Sequence, residues 1–130
     1  MVLFRSEDHA GRNSQALENV PNPIGSISVS STTIDRLVMQ FRSQGLVLLK
    51  IDIEGSELQA LRGAQSTLTL DCAVMLEYWP AGIRALGGDP HQLLSLVGSL
   101  NYNSYLLDEG IGAVKYISLA ELRDLPTIVS

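Results

Sequence analysis

The chain has 130 residues, with nine Lys and Arg against fourteen Asp and Glu and a formal charge of −5. Its scattered basic residues exclude a nucleic-acid or anionic-lipid surface. The 45 % apolar and 18 % charged content excludes a disordered chain and fits a single domain over residues 1–130. No stretch has the apolar length of a signal peptide or a membrane span, and the lone Cys72 can close no internal disulfide, so a cytoplasmic location and a buried thiol are expected.

In chain order, "IGSISVSS" (24–31) alternates as a strand does, and "TTIDRLVMQF" (32–41) puts Ile34, Leu37, Val38 and Phe41 at helical spacing before Gly45 stops it. "LVLLKIDI" (46–53) reads as a parallel strand buried on both faces, after which Gly55 turns the backbone. Ser56 and Gln59 have the spacing of a capping box, and Leu58, Leu61, Ala64 and Leu68 keep one helical face. "CAVMLEYW" (72–79) returns as a second strand, which completes a βαβ unit.

Asp89, Pro90 and Gln92 mark the next helix start, with Leu93, Leu96, Val97 and Leu100 on one face. "NSYLL" and "AVKYI" flank "DEGIG" (108–112). Gly110 and Gly112 there fit a hairpin turn better than a nucleotide loop, because too few residues follow for the required helix. Ser118 predicts a cap on a last helix through Leu125. His9 and His91 have no partner at metal-ligand spacing and read as solvated. The fold class expected is α/β, a parallel βαβ core with a C-terminal antiparallel hairpin.

Ligands of open parallel sheets bind beyond the carboxyl ends of the strands. Lys50, Asp52 and Glu54 fall there, and in an extended segment they would share one face. An ammonium beside two carboxylates facing a cleft can take a proton or hold a hard cation. The same residues also fit a structural ion pair and acids placed to favour a helix N-terminus. Glu77 ends the second strand at the equivalent place, and Tyr78 and Trp79 after it can line a binding surface or a partly buried rim.

"TTIDRL", "LLKIDIEGSELQALRGA" and "VMLEYWPAGIRALGGDPHQLLSLVGSLNY" together resemble the second half of the FkbM-type S-adenosylmethionine-dependent methyltransferases, over roughly residues 1–107. "AGRNS" (10–14), with Asn13, fits the loop preceding them. The family's glycine before the tyrosine is Asn101 here, a residue that tolerates a left-handed helix end. The resemblance implies a partial Rossmann-like sheet and methyl transfer from S-adenosylmethionine to a hydroxyl of a sugar or natural product. It implies Lys50, Asp52 and Glu54 as catalytic residues, and Glu77, Tyr78, Trp79 and Asn13 as substrate-side residues.

The family's glycine-rich strand end and ribose-binding acid have no counterpart in the chain, which reads as a truncated methyltransferase lacking most of its cofactor half. An exposed edge on strand 46–53 would then favour self-association or a companion segment. Two alternatives accompany this reading. One is a non-catalytic α/β remnant that associates with itself or a partner chain. The other is an unrelated metal-dependent transferase using Asp52 and Glu54.

Overall fold

Residues 1–8, 10–41, 47–108 and 110–124 are described by the computed structural model. His9, Gly45, Leu46, Glu109 and Leu125, which enter the sequence expectations, lie outside them. The described elements are β1 (Val2–Ser6), β2 (Pro23–Ser28), α1 (Ile34–Phe41), β3 (Val47–Ile51), α2 (Glu57–Arg62), β4 (Cys72–Leu76), α3 (Pro80–Ala85), α4 (Pro90–Ser99), β5 (Tyr105–Asp108), β6 (Ala113–Tyr116) and α5 (Leu119–Asp124).

β3 and β4 pair in parallel, from Val47 opposite Cys72 to Ile51 opposite Leu76. The connection through α2 is the expected βαβ unit. Leu58, Leu61, Ala64 and Leu68 are all buried, and with Ile51, Ile83, Leu93 and Leu94 they make the core. Leu49, Val74, Leu76 and the half-buried Cys72 pack against it from the strands, so one face of the pair is covered.

The other face is not covered, which corrects the expectation of a strand buried on both sides. Leu48 is 68 % exposed and Met75 43 %, and Lys50 and Ala73 between them are exposed too. Alternation along a strand is read from sequence; whether both faces meet a partner depends on layers elsewhere. The mixed α/β class holds, but the described strands form three separate two-stranded sheets instead of one continuous Rossmann-like layer.

Both antiparallel pairs join strands that are consecutive in the chain. β5 and β6 form the expected C-terminal hairpin, with Tyr105 and Tyr116 directly opposite and their rings edge to face at 5.9 Å. β1 pairs with β2, although nothing in its residue pattern announces a strand. α1 forms as its spacing predicts but buries none of its residues, and Phe41 is 78 % exposed. Of its apolar face Ile34 packs against the core, while Leu37 is 43 % exposed.

The helix starts differ from their sequence reading in an instructive way. Ser56 makes no capping bond with its side chain. Its hydroxyl instead accepts from Gln15 Nε2 at 2.8 Å, and the Glu57 carboxylate accepts the Ile53 and Gly55 N–H groups of the turn that precedes the helix. Asp89 caps α4 by accepting the His91 N–H at 3.0 Å, while the Gln92 Oε1 expected to reciprocate accepts from Arg62 Nη2 at 2.6 Å. A true capping box closes at Ser118, whose N–H and hydroxyl both donate to Glu121 Oε2 while its Oγ accepts the Glu121 N–H. Asn101 is left-handed at φ 55°, as its place after α4 predicts.

Candidate functional site

The register places the sequence-predicted acids side by side. Ile51 stands opposite Leu76, and the Glu77 N–H donates to the Ile51 carbonyl at 3.0 Å, so the ladder carries Asp52 and Glu77 out together at the carboxyl ends. By alternation they continue the uncovered face of Leu48, Lys50, Ala73 and Met75.

Lys50 Nζ donates to Asp52 Oδ2 at 2.7 Å, with side chains 63 % and 49 % exposed. These two groups therefore stand on an open surface and not in the expected cleft. Their ion pair is the arrangement that the structural alternative predicted, and in solvent it is worth little stability.

Glu54 does not share that strand face. β3 ends at Ile51, and Glu54 is left-handed at φ 56°, followed by Gly55 at φ 99°. The turn is held from several sides. Ser14 Oγ donates to the Glu54 carbonyl at 2.9 Å, and Asn19 Nδ2 donates to the same oxygen at 3.0 Å and to the Gly82 carbonyl at 3.2 Å. From within, Glu57 Oε1 accepts the Ile53 N–H at 3.2 Å and the Gly55 N–H at 3.1 Å. Glu57 is fully buried, and its Oε2 has no hydrogen-bond partner among the described residues.

Gly55 is needed at this place for two reasons. Its φ is one that side-chain-bearing residues rarely adopt, and a Cβ there would lie 2.5 Å from the Gly82 carbonyl group. Gly82 in turn leaves room for the Trp79 ring, which a Cβ would meet at 2.2 Å. The loop after β3, the start of α3 and the indole are thus stacked in one small volume.

The electrostatics follow from this gathering. The Glu54 carboxyl is raised by desolvation and by the Asp52 and Glu57 carboxylates, with Arg12 opposing. The Glu77 carboxyl is pushed up to about 6, by desolvation first and then by Asp52, Glu54 and Glu57, with Lys50 opposing. Glu77 keeps an exposed surface, so the crowding of carboxylates is the part of that cause fixed by geometry. An acid held near 6 can accept a proton at neutral pH and return it.

The remaining candidates stand elsewhere. Tyr78 packs against the core, and its hydroxyl is raised by desolvation, with Arg84 and Arg123 opposing and Asp89 adding to the rise. Trp79 lies against Gly82. Asn13 Oδ1 accepts the Ser6 N–H at 2.9 Å, tying its loop to β1. Among the described residues no group of three or more His, Cys, Asp or Glu could hold a metal ion. An open groove lined by Leu68, Asp71, Cys72, Leu100 and Tyr102 lies at the other end of β4; it brings one carboxylate and none of the site acids.

Sequence reasoning missed Ser14, Asn19, Glu57 and Gly82. Glu57 carried a signal, an acid in the first turn after a glycine, but Asn19 carried none, because its partners are 35 and 63 residues away. Among the described residues no helix is long and apolar enough to cross a membrane.

The sequence profile of the methyltransferase FkbM domain matches residues 3–103. Searches of curated proteins and of solved structures returned no match.

Proposed function

The chain belongs to the FkbM methyltransferase family, and on that premise we propose that the carboxyl ends of β3 and β4 form the acceptor side of a methyl-transfer site, with a hydroxyl of a sugar or natural product as acceptor. Membership sets aside the unrelated metal-dependent transferase.

The observation carrying this reading is the pairing of Asp52 with Glu77 at adjacent strand ends, with Lys50 and Glu54 beside them. A hydroxyl attacking a methyl group must lose its proton, and a positioned base with a pKa near working pH does this most effectively. Glu77 suits that role. Asp52 is engaged by Lys50, so this pair would orient the acceptor by accepting and donating hydrogen bonds.

The family as a whole draws its methyl group from S-adenosylmethionine. The described residues do not fit that cofactor: none of them forms a glycine-rich strand end of the kind that cradles it, and the glycine turn that follows β3 is filled by the Gly82 carbonyl. Contacts to the cofactor therefore have to come from outside the described residues, and the role assigned to Glu77 concerns the acceptor alone.

The test is methyl transfer to a panel of hydroxylated acceptors with S-adenosylmethionine as donor. Glu77→Gln is expected to lower the rate by about 10²–10⁴-fold with the fold intact. An unchanged rate in that variant, or a folded protein that neither binds the donor nor transfers methyl, would remove the reading.

A second reading is favoured by the uncovered face of the β3–β4 pair, where Leu48 and Met75 stand in the open. In it the domain is non-catalytic and associates with a second copy or a companion chain. Sedimentation at micromolar concentration is expected to show a species larger than the 14.1 kDa chain, reduced by Leu48→Lys; a single monomeric boundary for the unaltered protein counts against it.

A further inference from the structure

We propose that Asn19 is a positioning residue: its buried amide ties the turn after β3 to the backbone of α3 and so sets the spacing of the acids that end the two parallel strands. The inference rests on the reading of those acids as the acceptor side, but it can be tested without activity.

One amide nitrogen carries two N–H groups, and here they serve two chain segments. Asn19 Nδ2 lies 3.0 Å from the Glu54 carbonyl and 3.2 Å from the Gly82 carbonyl, with Ser14 Oγ at 3.5 Å. Asn19 is 9 % exposed and Ser14 1 %, so water does not substitute freely for either donor. Their target is the carbonyl of Glu54, whose left-handed backbone needs support from its surroundings. Below it the two loops meet at Gly55 and Gly82 with no side chain between them.

Glu54 stands next to Gly55, and Glu77 leads through Trp79 into α3, which holds Gly82. Any slip between these loops would therefore change the distance between the Glu54 and Glu77 carboxylates. Those carboxylates face Asp52, Glu57 and Lys50, and Glu54 also faces Arg12. Arg12 lies on the same connection between β1 and β2 as Ser14 and Asn19. One segment thus supplies both the tether and the opposing guanidinium.

A hydroxyl or an aspartate at this position would not replace the amide. The first has a single donor, and the second would set a carboxylate against two carbonyl oxygens.

The experiment is a carboxyl-carbon NMR titration of the unaltered protein, Asn19→Ala and Ser14→Ala, with each fold checked by circular dichroism and a cooperative melt. In the unaltered protein Glu77 is expected to titrate at about 6. In Asn19→Ala, Glu77 should move back towards its ordinary value by about half a pH unit or more, with Glu54 moving in the same direction, and in Ser14→Ala both should move less.

A residue that only stabilises the fold would lower the melting temperature and leave these titrations in place. The proposal is overturned by a folded Asn19→Ala whose two acids titrate as before. If that variant does not fold, an unmoved Ser14→Ala overturns it, as does an ordinary titration of Glu77 in the unaltered protein. Failure of the acceptor-side reading looks different: the titrations move, yet Glu77→Gln leaves methyl transfer unchanged.

Discussion

The two faces of the β3–β4 pair are built from the same two strands with the same alternation, and they come to opposite ends. One face puts Leu49, Ile51, Val74 and Leu76 against Leu58, Leu61 and Leu94. The other leaves Leu48 and Met75 in solvent and runs out into Lys50, Asp52 and Glu77. The covered face holds the fold together, since burial of apolar area is its main favourable term. The uncovered face carries the charged groups of the candidate site. Strand pairing joins the two roles by fixing Asp52 beside Glu77 through the register of the covered residues.

Substitutions on either side of the pair sharpen that contrast. On the covered side, Leu58→Ala removes a side chain only 2 % exposed and is expected to cost about 2–5 kcal/mol in chemical denaturation. On the uncovered side, Leu48→Ala should fall within about 0.5 kcal/mol of the unaltered protein. Similar losses for both would mean that the open face is covered in solution.

A smaller effect separates the acids from the core. The folded Glu77 carboxyl sits at about 6, above the ordinary 4.5. Its contribution to stability is therefore full below the ordinary value and is lost as pH rises through about 6. Glu77→Gln should flatten the stability profile in that window and leave the protein slightly more stable at neutral pH, by less than about 1 kcal/mol because solvent screens the group. A profile with the same slope in the variant would show that Glu77 is not crowded by its neighbours.

Much of the βαβ unit was legible in the residues. Leu58, Leu61, Ala64 and Leu68 are all buried as expected, although α2 itself stops at Arg62 and Leu68 falls in a separate short turn of helix, and Asp89 with Pro90 marked α4 at its true start. The hairpin β5–β6 and the Ser118 cap were legible from turn residues and cap spacing. Ser56 shows the limit of such local signals: it has the spacing of a capping box, yet its hydroxyl is taken by Gln15, forty-one residues away. α1 shows another limit, since its apolar spacing does not tell that Ile34 meets the core while Phe41 stays in solvent.

The candidate site divides along the same line. Lys50, Asp52 and Glu77 were found because strand ends are readable and acids there are conspicuous. Glu54 was given the wrong geometry, because extended alternation was carried three residues past the end of the strand.

By itself the sequence determined the local periodicities, the turn after β3, the acids at the strand ends and the family, all of which depend on residues close together in the chain. Tertiary structure alone decided which strand face is covered, that Glu57 binds the turn before α2 while Ser56 caps nothing, and that Asn19 reaches both Glu54 and Gly82. The physical reason is one of distance: a hydrogen bond or a packed face needs its partner in space, and pattern along the chain does not carry that information.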